Sequence, residues 1–196
     1  MKNRITLLFI LMAVLFGCKP KHEPTLKNVA DNRTVSNDTI IKDAAKGGVI
    51  YDTTREAGYL VDSYSNGLFS IEAAQVVKQK TQIPEVKEFA DKIVSLQSKK
   101  VEEFENVAKT KKISLPSNLS LIQRYELKGI TEKDPGELEK VFIEKIESKN
   151  KEDIALLEKI SKESEDNDIA TLAISSLATV KYQSDEIKSV KERFEL

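Results

Sequence analysis

Two sets of side chains have the types and spacing to do chemistry. The first is a single cysteine. Gly17-Cys18 closes an apolar run, Ile5 to Phe16, which only Thr6 interrupts and which Lys2 and Arg4 precede. A lipoprotein signal needs a small residue directly before its cysteine, because the peptidase pocket is tight and the sulfur must already carry diacylglycerol. The run is about 12 residues, short of the roughly 20 that cross a bilayer as a helix. Cys18 is therefore the expected point of cleavage and lipidation, with Phe16 bulkier than the commonest residue at its place. An ordinary secretory signal with an accidental cysteine is the alternative. Against it, Cys18 is the chain's one cysteine, ends the apolar run and opens a polar tail. One cysteine also excludes an internal disulfide framework. More than one acyl chain, at about 0.8 kcal/mol per buried CH₂, gives stable anchoring.

The second set is Glu72, Gln97, Asn150 and Gln183. Each occupies a place where an apolar helical stripe calls for an apolar residue. Glu72 stands four after Leu68 and four before Val76, and Gln97 has the same relation to Ile93 and Val101. Asn150 stands four from Ile146 and four from Ile154, and Gln183 three after Val180 and four before Ile187. A buried carboxylate or amide without a hydrogen bond costs on the order of 1–3 kcal/mol. One per helix is the pattern of residues that meet in a polar network, border a wet cavity or ligate something. Solvation at the edge of each stripe is the structural alternative.

Other candidates reduce to surface. His22, the one histidine, falls in a polar tail and reads as solvated rather than as a metal ligand. Glu102-Glu103 and the Glu163/Glu165 pair lie on polar faces or in a turn. No histidine follows His22, so no Ser-His-Asp arrangement is available, and no Gly-rich phosphate loop occurs.

The elements that would position these residues are helical. The composition, 40% apolar and 32% charged with seven glycines, suits a helical bundle. Loss of Lys2 and Arg4 with the signal takes the formal charge from −1 to −3, which argues against a nucleic-acid partner. Residues 1–17 read as the signal peptide, 18–50 as the lipidated cysteine and a flexible tether, and 54–196 as the folded domain. A first helix is expected near Thr54 to Lys80, with Leu60, Tyr64, Leu68, Ile71 and Val76 facing inward. A second starts with Pro84 in its first turn and runs to about Lys111, burying Phe89, Ile93, Val101, Phe104 and Ala108. A short helix near Leu119 to Leu127 ends at Gly129. Asp134 as N-cap and Pro135 at N1 open a third long helix to about Ser161, with Leu138, Phe142, Ile146, Ile154 and Leu157. A fourth runs to Phe194 through Ile169, Leu172, Ala173, Ser176, Val180, Ile187 and Val190. Short turns make hairpins of the first and last helix pairs; the middle connection is open between a corner and a crossover.

Several segments resemble the domain-of-unknown-function 4142 family of bacterial envelope proteins. They are Ile71-Glu72, Ile83-Pro84-Glu85-Val86-Lys87-Glu88-Phe89-Ala90, Val101-Glu102-Glu103-Phe104 and Ile113-Ser114-Leu115-Pro116, then Phe142-Ile143 and Leu156-Leu157-Glu158-Lys159. The resemblance spans Tyr59 to Phe194. It implies an all-α, ferritin-like four-helix bundle with a short extra helix between the second and third long helices. Family members carry a glutamate in the first helix, Asp-His in the second and third, and a histidine in the fourth. Here Glu72 matches the glutamate, while Leu96-Gln97, Lys149-Asn150 and Gln183 stand in the other places. An amide offers a metal only a neutral oxygen, a poor substitute for imidazole. The expectation is a site that has degenerated or been rebuilt, with Gln97, Asn150 and Gln183 donating to Glu72.

The leading expectation is a lipid-anchored, non-enzymatic envelope bundle with a binding or structural role. No cofactor beyond the lipid on Cys18 and no metal are expected, and its protein or small-molecule partner is open. Lys19, with no aspartate beside Cys18, favours the outer membrane, facing the periplasm. The alternative is a ferritin-like metal-binding or redox protein with an atypical site around Glu72. Direct action of an amphipathic helix on lipid fits less well, because the polar faces mix Lys with Glu.

Overall fold

The structure, a computed structural model, describes residues 55–194. Cys18, His22, the signal segment and the tether lie outside the described residues. The order is α1 (Arg55–Lys80), α2 (Pro84–Lys111), α3 (Leu121–Thr131), α4 (Glu137–Glu163) and α5 (Asn167–Phe194). Among the described residues there is no strand, and no helix is long and apolar enough to cross a membrane.

Local chemistry sets most boundaries. Pro84 opens α2, where its missing N–H has no helical partner to lose. Lys112 closes α2 in the left-handed region (φ 58°), and the Ile113 N–H reaches back to the Ala108 carbonyl at 2.8 Å. Ser120 and Gln123 cap α3 reciprocally: the Gln123 N–H donates to Ser120 Oγ at 3.2 Å, and the Ser120 N–H to Gln123 Oε1 at 3.1 Å. Two expected boundaries move. Gly129 does not stop α3; the helix continues to Thr131, which carries Ile130 into the core with no exposed surface. Asp134-Pro135 forms a preceding turn instead of the cap. The helix starts at Glu137 behind Gly136, whose φ of 94° suits a glycine.

Two apolar clusters fix the topology. One gathers Val77 of α1, Val86 of α2, Leu138 of α4 and Val190 of α5, with Ile130 of α3. The other gathers Ala57, Ala108, Ile160 and Ile169. The first therefore contains the end of α1 and the starts of α2 and α4; the second contains the opposite ends. So α2 and α4 run parallel, and the segment between them must travel the length of the bundle. That connection is a crossover, the single long crossover of ferritin-like folds. Around the bundle α1 packs on α2 and α4, and α5 packs on the same two. Every neighbouring pair of long helices is antiparallel.

The crossover is clasped at both ends. Gln123 Nε2 donates to the Ser65 carbonyl of α1 at 3.0 Å, and Lys145 of α4 reaches Glu126 at 3.4 Å. At the start of α4 the buried Glu139 carboxylate accepts the Gly136 N–H at 2.6 Å and the Thr81 hydroxyl at 2.5 Å. That ties the α1–α2 turn to the new helix.

Leu60 and Tyr64 face inward as expected, but beyond them the inward face of α1 differs from expectation by one residue, about 100° of rotation. Leu68, Ile71 and Val76 are half-buried, while Phe69, Ala73, Ala74 and Val77 are fully enclosed. The face that goes inward sets Phe69 and Val77 among the small residues Gly67, Ser70, Ala73 and Ala74, which let neighbouring helices approach closely. On α4 the buried residue is Asp153, and Ile154 is half-buried.

Burial pushes the Glu139 carboxyl up, but hydrogen bonds from Thr81, from the Gly136 N–H and from its own N–H outweigh this and hold it below the ordinary 4.5. A depressed folded-state value contributes stability above the unfolded pKa that disappears as pH falls through the folded one. Denaturant midpoints followed downward from about pH 5 should therefore fall, and Glu139→Gln should flatten that slope while lowering neutral-pH stability by about 1–2 kcal/mol.

Candidate functional site

Between the two apolar clusters the bundle has a polar waist. Along α2 the lower cluster takes Val101 to Ala108, the upper takes Val86 to Ile93, and Gln97 and Lys100 fall between. Along α4 the intervening pair is Asn150 and Asp153; on α5 it is Gln183; on α1 it is Asn66. All six are at least nine-tenths buried.

At the centre of the waist is an ion pair. The Lys100 ammonium of α2 donates to Asp153 Oδ2 of α4, with side chains 0% and 3% exposed. The other carboxylate oxygen accepts from Asn66 Nδ2 of α1 at 3.2 Å. The ammonium also lies 5.5 Å from the centre of the Phe104 ring. One salt bridge and one amide thus link three helices. Charges taken this far from water cost several kcal/mol each, and mutual attraction offsets that only when the remaining hydrogen bonds are supplied. Asn66 supplies one of them.

The amides form the adjoining layer. Gln97 Nε2 donates to Gln183 Oε1 at 2.6 Å, joining α2 to α5. Asn150 Nδ2 donates to the Val180 carbonyl at 2.9 Å and to Ser184 Oγ at 2.7 Å, joining α4 to α5. Gly67 of α1 makes room: a Cβ there would stand 3.0 Å from Val101 Cγ2 and 3.3 Å from Gln97 Oε1. Among the described residues five buried oxygens, Ser63 Oγ, Gln97 Oε1, Glu126 Oε2, Asn150 Oδ1 and Ser176 Oγ, have no hydrogen-bond partner.

Three of the four sequence candidates, Gln97, Asn150 and Gln183, therefore do face the interior. Glu72 does not. It is exposed on α1, and no amide donates to it, because the rotation of α1 turns Leu68, Glu72 and Val76 away from the axis. Asn66 and Ser70 are the buried polar residues of that stretch of α1, and Ser70 Oγ donates to the Asn66 carbonyl at 2.8 Å. Sequence reading also passed over Lys100, Asp153 and Asn66. A signal for the first two existed: Lys100 follows Gln97 by three, and Asp153 follows Asn150 by three, so each pair shares a helix face.

An open groove of about 560 Å³ lies on the outside between α2 and α5, walled by Asn106, Thr110, Thr171 and Ser175 over Val107 and Leu172. Beside it Lys111 bridges Asp166 at 2.5 Å and Asp168 at 2.7 Å. That ammonium holds the Asp166 carboxyl below its usual range.

The donor set for a metal is thin. Histidine, cysteine and methionine are absent from residues 55–194. Among the described residues no three of His, Cys, Asp and Glu cluster. A ferritin-like dinuclear centre needs several carboxylates and imidazoles on facing helices. The waist holds one carboxylate, Asp153, already paired with an ammonium, and the other buried carboxylate, Glu139, is engaged with Thr81 and the Gly136 N–H at the start of α4, so these residues do not fit such a centre.

Fold and waist together define a ferritin-like four-helix bundle with a charge-compensated polar interior. The chain belongs to the family described as Domain of unknown function (DUF4142), which it matches over residues 51–190. A search of curated proteins gave no match. Two solved structures share the fold. A DUF305 fragment from Deinococcus radiodurans superposes with a TM-score of 0.64 at 13% identity, over 74% of this chain and 99% of that one. CopM in the Cu(II)-bound form gives 0.58 at 16% identity, over 71% of this chain and 95% of that one.

The hydrogen bond between the Gln97 and Gln183 side-chain amides leads to a double-mutant prediction. Gln97→Leu and Gln183→Leu should each lower stability by about 1–3 kcal/mol, since each strands a buried amide. The double variant should come back to within about 1 kcal/mol of the parent in urea denaturation, the mark of a pair with no ligand to hold.

Proposed function

We propose that this protein is a lipid-anchored cell-envelope bundle with a binding or structural role, not an enzyme. The observation that carries the reading is the closed interior: where facing helices of such bundles build sites, this chain places Lys100 on Asp153 and Gln97 on Gln183. The anchor rests on Gly17-Cys18 behind the apolar run, and Lys19 favours the outer membrane with the bundle in the periplasm. A partner would meet the outer surface, where the α2–α5 groove has the volume of a small-molecule site. Mass spectrometry of detergent-extracted protein should find a mature chain beginning at a diacylated Cys18. Cys18→Ser should remove the lipid and release the domain from the membrane fraction. An unprocessed N-terminus at Met1, or equal sedimentation of the variant, would sink the anchor.

The second reading is metal binding, favoured by the shared fold with CopM in its Cu(II)-bound form. It would have to use oxygen donors alone within residues 55–194, whereas Cu(II) prefers imidazole nitrogen. Elemental analysis of native protein and a Cu(II) titration separate the two. The closed-interior reading expects no stoichiometric metal; one tightly held ion per chain would favour the metal reading.

A further inference from the structure

Gln97 and Lys100 stand three residues apart on α2, and Asn150 and Asp153 three apart on α4. The Glu-x-x-His pairs of ferritin-like metal centres use the same spacing, which projects two ligands from one helix face into the bundle. Here the two faces hold two amides, one carboxylate and one ammonium. We propose that the pocket formed by Asp153 and Asn66 is a cation site, and that the chain's own Lys100 ammonium occupies it in place of a metal ion.

The geometry fits an occupied site more closely than an incidental salt bridge. The ammonium is wholly enclosed, and its carboxylate partner nearly so. Asp153 uses one oxygen on the cation and the other on Asn66, as a ligating carboxylate is held by a neighbouring donor. The Phe104 ring presents its face to the charge. The lysine stem passes α1 at Gly67, with Cε 3.8 Å from where a Cβ would stand, an ordinary packing distance. The arrangement links α1, α2 and α4, as a metal ligated from three helices would. It differs in one respect: a tethered ammonium cannot be removed by a chelator or exchanged for another ion. The inference rests on the metal-free reading of the interior and not on the lipid anchor.

Chemical rescue tests it in the mature protein. Lys100→Ala should lower Tm by on the order of 10 °C by leaving Asp153 uncompensated. Adding n-propylammonium, which has the length of the missing stem, should raise Tm in a concentration-dependent way. Equal concentrations of 1-propanol or tetramethylammonium should not. Adding Asp153→Asn to Lys100→Ala should restore much of the lost Tm and abolish the response to n-propylammonium. An unchanged Tm in Lys100→Ala, equal rescue by 1-propanol, or a persistent response in the double variant would overturn the proposal. If Lys100→Ala does not fold, ¹⁵N spectra of the parent protein decide. A Lys100 ammonium signal with hydrogens protected from solvent exchange supports the site, and rapid exchange overturns it. A divalent ion that displaces the Lys100 signal also overturns it. Metal binding that leaves that signal in place supports the cation site while sinking the metal-free reading given above.

Discussion

An ammonium and a carboxylate removed together from water each forgo several kcal/mol of hydration. Around Lys100 and Asp153 the structure is arranged to offset that cost. Asn66 holds the second carboxylate oxygen, Phe104 faces the cation, and Gly67 lets α1 come close to Val101 and Gln97 beside them. The pair ties α2 to α4, which run in the same direction on opposite corners of the bundle and have no direct turn between them. It thus constrains a distance that the short hairpin turns leave open. Either partner alone would be a stranded charge, so the two residues depend on each other more strongly than any apolar pair in the core.

The crossover follows from that direction. Because α4 starts at the end where α2 also starts, the chain after Lys112 has to return along the bundle, and α3 does so in the α1–α4 groove. Gln123 on the Ser65 carbonyl, Ile130 in the upper core and Glu139 on Thr81 hold this path at successive heights. The two hydrogen bonds also satisfy polar groups that would otherwise be buried unpaired. Above and below the waist the packing is apolar, including an edge-to-face contact of Phe89 with Phe142 at 5.9 Å between centroids. The waist is therefore the level where buried polar side chains join all four long helices.

That division also separates what could be read along the chain from what could not. The four long helices, the Pro84 start and the all-α class were legible, since each depends on periodicity or on the chemistry of a few adjacent residues. Gln97, Asn150 and Gln183 were legible for the same reason: each interrupts an apolar stripe. Glu72 was misplaced because α1 has two candidate stripes one residue apart. The larger side chains of Leu68, Ile71 and Val76 suggested one, and close approach chose the other, of Gly67, Ser70, Ala73 and Ala74. Gly129 misled similarly, because a stop signal yielded to the burial of Ile130.

The sequence by itself determined the helical segments and the polar breaks in their stripes. These are local properties, encoded within a few residues of where they act. Only the tertiary structure decided the rotation of α1, the direction of the crossover and the pairing of Lys100 with Asp153. A lysine and an aspartate 53 residues apart resemble any two surface charges until packing removes the water between them. Their partner choice depends on which faces the helices turn inward, and that is settled by the fit of all four together.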